Sequence, residues 1–105
     1  ALMAYAYQIA RWHHERWDGK GYPDGLKGDE IPIAAQVVSV ADVYDALTSV
    51  RVYKDAIPHK AAIQMILDGK CGTFNPLLLD CLLEVQDQIA ETLARPADVV
   101  AFPTI

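Results

Sequence analysis

The chain has 105 residues, 52% of them hydrophobic and 22% charged, with a formal net charge of −5. That length and composition are those of one globular domain and exclude a disordered chain. An isoelectric point near 4.9 excludes a general nucleic-acid or anionic-membrane surface, since either needs clustered cations to neutralise phosphate.

In ALMAYAYQIARW, residues Leu2, Tyr5, Ile9 and Trp12 recur at helical spacing and predict a first helix from the start to about Trp17. No capping residue precedes it, so the sequence reads as a chain cut inside a helix. A mean hydropathy of +0.11 agrees, because a small domain has a high surface-to-volume ratio and should be more polar. The segment DGKGYPDGLKGDE, with four glycines and a proline, then breaks the helix into a long loop.

Pro32 suits a first helical position, and Ile33, Val37, Val40, Tyr44 and Leu47 form an apolar stripe down to Ser49. This second helix is the most buried in pattern. VRVYKDAI is a connector, Pro58 opens a third helix carrying Ile63, Ile66 and Leu67, and Gly69 closes it. Asn75 is the expected N-cap of a fourth helix that starts at Pro76 and runs to about Leu93. No strand pattern, repeat or low-complexity segment is present. The expected fold is therefore all-α, a helical bundle over residues 1–94 with a C-terminal tail at 95–105.

No apolar run reaches membrane-spanning length and no signal-peptide pattern is present, so the chain reads as cytoplasmic. Cys71 and Cys81 lack CxxC spacing and are read as free, buried thiols.

The chemistry concentrates in WHHERWDGKGYP, residues 12–23. Adjacent helical residues point about 100° apart, so His13 and His14 do not easily share one metal ion, but each suits one ion of a close pair. The plainer alternative is that one ring packs and the other is solvated. Asp42 lies in the apolar segment VVSVADVYDAL, on the track of Ala35, Val38 and Ala46, where an unpaired carboxylate is costly to bury. It calls for a cation or a hydrogen-bond donor. Arg51 and Lys54, three residues apart in RVYK, suit a phosphate clamp, though two surface cations are usually only solvated.

The stretch HHERWDGKGYPDGLKGDEIPIAAQVVSVADVYDALTSVRVYK, continuing through GKCGTFNPLLLDCLLEV, resembles the C-terminal half of an HD-GYP domain. That family comprises metal-dependent phosphohydrolases of the HD superfamily that degrade cyclic di-GMP. The order and spacing of HHE, DGKGYP, ADVYDALTS and RVYK carry the resemblance over residues 1 to about 85. It implies a partial HD-type helical domain. It also implies that His13, His14 and Asp42 are ligands of a two- or three-metal centre, Fe or Mn by the donor set. Arg51 and Lys54 would then hold substrate phosphate, with Tyr22 near the substrate and Gly19, Gly21 and Pro23 shaping its loop. Asp45 is assigned a structural hydrogen bond, Glu15 an orienting contact or salt bridge, and His59, outside every motif, an exposed position.

In an intact domain, paired ions would activate a bridging water and polarise the phosphodiester, with Arg51 and Lys54 offsetting charge on its oxygens. The resemblance implies linear pGpG or GMP as product. No His-Asp dipeptide occurs in the chain, and Asn75 stands where the family more often has aspartate. With three ligands of a larger set, the chain reads as a fragment of a longer enzyme, inactive alone. The alternative is a degenerate module whose GYP loop binds a partner such as a diguanylate cyclase domain, and a third reading is a structural fragment without function in isolation. Uncovered apolar faces also predict a homodimer.

Overall fold

The computed structural model describes residues 1–50 and 55–93. Helices α1 (Leu2–Trp12), α2 (Ile33–Thr48), α3 (His59–Leu67) and α4 (Pro76–Leu93) follow in order, with a 3-10 turn at Gly28–Glu30 before α2. Among the described residues there is no strand, only an isolated bridge between Lys70 and Gly72. The all-α expectation holds. Arg51, Lys54 and the 95–105 tail lie outside the described residues.

Helix ends follow local chemistry at three of the four elements. Pro32 and Pro58 are the N-caps of α2 and α3, with extended ψ that turns the chain into each helix. After α3, Asp68 is the C-cap and Gly69 takes a φ of +76°, the left-handed conformation that glycine adopts without a Cβ penalty. Asn75 caps α4 through its Oδ1, which accepts the Leu77 N–H at 3.0 Å.

The first helix is shorter than the periodicity predicts, ending at Trp12 rather than near Trp17. The amides that would continue it are taken elsewhere. The Trp17 N–H donates to the Thr73 carbonyl at 3.0 Å, and the Glu15 N–H closes a turn onto Trp12 at 3.0 Å. Tertiary partners outbid the next helical turn.

Helix α1 packs on α2, α2 on α3, and α3 on α4. The core joins Val40, Ile63, Ile66, Phe74 and Leu82, with Tyr44, Leu47 and Ile89 packed against it. Burial of α2 is uneven. Ala35, Gln36, Ser39 and Val40 are buried, while Ile33 and Val37 at the head of the predicted stripe are exposed. Val37 instead borders an open apolar cleft of about 800 Å³ between α2, α3 and α4, with Val40, Tyr44, Leu82 and Ile89. Both thiols are free as expected, but neither is buried: Cys71 is half-buried and Cys81 is exposed on α4, beside that cleft.

Candidate functional site

His13 and His14 sit at the C-terminal end of α1, where the helix has already stopped. His13 is the C-cap, with its backbone N–H on the Ile9 carbonyl, and His14 occupies the following turn. Their rings lie 4.0 Å apart, tilted by 41°. His13 Nδ1 is 2.6 Å from the Ile9 carbonyl oxygen. A carbonyl can only accept, so Nδ1 carries a proton, and in the neutral ring Nε2 presents the lone pair. That lone pair faces Asp42 Oδ2 at 3.8 Å.

Asp42 is not buried as its apolar sequence context predicted, for its side chain is 62% exposed. The aspartate face of α2 opens onto a cavity of about 380 Å³ lined by His13, His14, Arg16, Ser39 and Asp42. Nothing among the described residues covers it, so the carboxylate keeps its solvation and needs no buried counter-charge.

His14 stacks on Tyr22, with ring centroids 4.9 Å apart and planes 16° from parallel. Partial burial of the His14 ring, reinforced by His13 and the Arg16 guanidinium, holds it below the ordinary imidazole range against the opposing pull of Asp42. A histidine so placed is neutral at pH 7 and free to donate a lone pair. Tyr22 is otherwise 61% exposed and reaches the site only through this stacking contact with His14.

The loop bearing Tyr22 is held by Glu15, the 2%-exposed carboxylate that follows the histidines. Its Oε2 accepts the Asp24 N–H at 2.7 Å and its Oε1 the Leu26 N–H at 2.8 Å. Glu15 therefore forms no salt bridge among the described residues. Its buried carboxylate is instead satisfied by these two loop amides. Gly21 lets the loop approach, because a Cβ there would lie 2.5 Å from both the His14 carbonyl oxygen and the Arg16 nitrogen. On the outside, Asp24 accepts from Arg11 Nε at 2.9 Å and from Trp12 Nε1 at 2.8 Å. These bonds, Trp12 first and Arg11 second, hold the Asp24 carboxyl below the usual carboxylate range.

Asp45 takes the structural part expected of it, accepting from Ser49 Oγ at 3.2 Å. His59 is not exposed. Its Nδ1 is 2.7 Å from the Tyr44 hydroxyl, and its buried Nε2 has no hydrogen-bond partner among the described residues. The reason is position: as the first residue of α3 it turns back toward α2 and lines the apolar cleft.

Whether these residues suit a metal is decided by the donors. Two imidazoles and a carboxylate form a donor set for a first-row divalent ion. Two donors each about 2.1 Å from one ion are at most about 4.2 Å apart, so the 3.8 Å between His13 Nε2 and Asp42 Oδ2 can be bridged by one. A complete cluster of three or more ligating side chains does not form among the described residues.

Residues 2–76 match the HD domain family. The chain belongs to that family. This HD domain chain is 45% identical over 98 residues to a probable cyclic di-GMP phosphodiesterase of Vibrio cholerae, the match covering 93% of the chain and 22% of the relative. It is 42% identical over 97 residues to the cyclic di-GMP phosphodiesterase response regulator RpfG of Xanthomonas campestris, covering 92% and 26%. It is also 44% identical over 97 residues to the 3′3′-cGAMP-specific phosphodiesterase 2 of Vibrio cholerae, covering 92% and 19%. The HD domain chain therefore spans about a quarter or less of the length of these relatives. No helix among its described residues is long and apolar enough to cross a membrane.

The periodicity and motifs missed Arg16 and Ser39. Two signals were available: Arg16 directly follows the HHE triplet, and Gln36 and Ser39 are polar residues three apart in the otherwise apolar first half of α2. Such a polar pair on one buried face implies specific partners.

Proposed function

We propose that this chain supplies the second half of a metal-dependent phosphodiesterase site for a cyclic dinucleotide, with cyclic di-GMP as the substrate. The supporting observation is His13 Nε2 facing Asp42 across a cavity shared with His14. His13, His14 and Asp42 would hold the metal, Fe or Mn by donor type, together with ligands from elsewhere in a longer protein. Bound there, divalent metal supplies Lewis acidity toward the phosphodiester and lowers the pKa of water.

The chain's own residues do the rest. The Ile9 carbonyl orients the His13 ring with Nε2 toward Asp42, and Tyr22, stacked on His14, offers an exposed aromatic face for a base to stack on. Arg51 and Lys54 follow α2, the helix that carries Asp42, and are assigned to the substrate phosphates. Cytoplasmic location fits a substrate of this class. The relatives named for cyclic di-GMP and for 3′3′-cGAMP share nearly equal identity with the chain, so both dinucleotides belong in the assay.

The test compares the longer protein with its His14→Ala variant for metal content and for hydrolysis of both dinucleotides with Mn(II) or Fe(II). Loss of metal and activity together supports the reading, and unchanged metal content removes His14 from the centre. The 105-residue chain alone is expected to be inactive.

A second reading rests on the exposed Tyr22 loop, braced from inside by Glu15 and from outside by Arg11 and Asp24. In a chain without a His-Asp dyad, this rigid loop would serve as a docking element for a partner protein, for which a diguanylate cyclase domain is the candidate. Binding of such a domain by the chain, abolished by Tyr22→Ala, would favour it. The open cleft beside α4 and the exposed Leu2, Met3 and Tyr5 of α1 support self-association as a homodimer.

A further inference from the structure

Arg16 joins more of the site than any residue the motifs single out. Its Nη1 donates to Ser39 Oγ at 2.8 Å, to the Glu15 carbonyl at 3.1 Å and, at 3.4 Å, to the His13 carbonyl. Its guanidinium lies over the Phe74 ring, 5.4 Å from the centroid. Gly72 leaves room for it, since a Cβ there would come within 2.7 Å of Arg16 Nε. One side chain thus connects the turn after α1, the middle of α2 and the loop before α4.

Ser39 and Asp42 are three apart on α2 and therefore share a face, less than one turn apart. The histidine turn meets that face at two neighbouring rungs: Arg16 on Ser39, and His13 toward Asp42. The Ser39 bond ties the turn to α2, and the two carbonyl bonds, both within the turn, hold the Arg16 side chain in the pose that makes it. The rotation of His13 about its own ring is set separately, by the Ile9 carbonyl.

We infer that Arg16 is the positioning residue of the proposed metal centre, holding the His13–His14 turn in register with Asp42 through Ser39. The inference rests on the assignment of these residues to metal. It assigns Arg16 no contact with metal or substrate.

Mn(II) titrated into the longer protein, which supplies the remaining ligands, and followed by loss of the free-ion EPR signal, provides a readout independent of turnover. Arg16→Met is expected to weaken Mn(II) about tenfold or more, within the range for residues that orient a ligand, and Ser39→Ala about threefold or more. Because both act through one contact, the double variant should be no weaker than Arg16→Met alone. Ile66→Val, which lowers the melting temperature through core packing only, should keep wild-type Mn(II) affinity. His14→Ala serves as the control for the underlying reading.

If Arg16→Met and Ser39→Ala bind Mn(II) like wild type while His14→Ala does not, the positioning role is wrong and the metal assignment stands. If His14→Ala also binds like wild type, both fall. If Ile66→Val weakens binding as much as Ser39→Ala at matched loss of stability, Arg16 is only structural and the inference is overturned. Should Arg16→Met fail to fold, Ser39→Ala, which removes one hydroxyl, decides the matter: weakened Mn(II) binding supports the positioning role, and wild-type binding overturns it.

Discussion

The Cβ that Gly21 lacks would lie 2.5 Å from the carbonyl oxygen of His14. No side chain can yield there, because the opposing atoms are backbone. The glycine is thus required by close approach, not by a positive φ. Gly21→Ala should push the loop off the histidine turn, break the Tyr22 N–H bond to the His14 carbonyl (3.3 Å) and separate the Tyr22 and His14 rings. A loss of about 1–3 kcal/mol, typical of overpacking, is expected in urea unfolding. A variant as stable as wild type would mean that the loop is not held against the turn.

Glu15→Gln tests how the loop is fastened. The carboxylate offers acceptors to both the Asp24 and Leu26 amides, whereas a carboxamide turns one of its ends into a donor facing a donor. The expected cost is about 1–3 kcal/mol for the unpaired buried group. Hydrogen exchange at those two amides should accelerate well before exchange in the α3 core, and equal protection in the variant would count against this anchoring.

Asn75→Asp separates capping from core hydrogen bonding. Both residues are good N-caps, so the Oδ1 bond to the Leu77 N–H survives. Asn75 Nδ2, however, donates to Gln36 Oε1 at 3.0 Å, and the Gln36 amide is oriented by its own donation to the Ile31 carbonyl at 2.8 Å. An aspartate would set acceptor against acceptor at a buried site. The substitution is expected to destabilise by about 1–3 kcal/mol despite equal capping, measured by chemical denaturation. No change would show that Gln36 reorients freely.

The Asp24 carboxyl is held below its ordinary value of 3.8 by the Trp12 and Arg11 bonds. Because the folded-state pKa is the lower one, its contribution is fully present above the unfolded value. It is lost as pH falls through the folded-state value, at more acidic pH. Asp24→Asn should lower the melting temperature at pH 6 slightly, since the pair is exposed. Its melting temperature should converge on that of wild type as both are acidified below pH 3.8. A difference that stays constant with pH would exclude this linkage.

The limits of helices α2, α3 and α4 were written in local chemistry. Pro32 and Pro58 restrict φ, Gly69 takes the left-handed φ that ends a helix, and Asn75 satisfies a terminal amide whatever surrounds them, so the fold class and three helix starts could be read from residue type and spacing. The candidate ligands were legible for a different reason: HHE and ADVYDAL are contiguous motifs, and contiguity survives without coordinates. What tertiary structure decided was every relation between segments. It stopped α1 at Trp12 by giving the Trp17 amide to Thr73, exposed Asp42 by leaving that face of α2 open, and drew His59 inward onto Tyr44. It also gave Arg16 its partner on Ser39, 23 residues away. Periodicity reports which face of one helix is apolar. Which carbonyl, hydroxyl or ring meets that face depends on long-range packing, because a polar group's burial and pairing are properties of its neighbours and not of its own position in the chain.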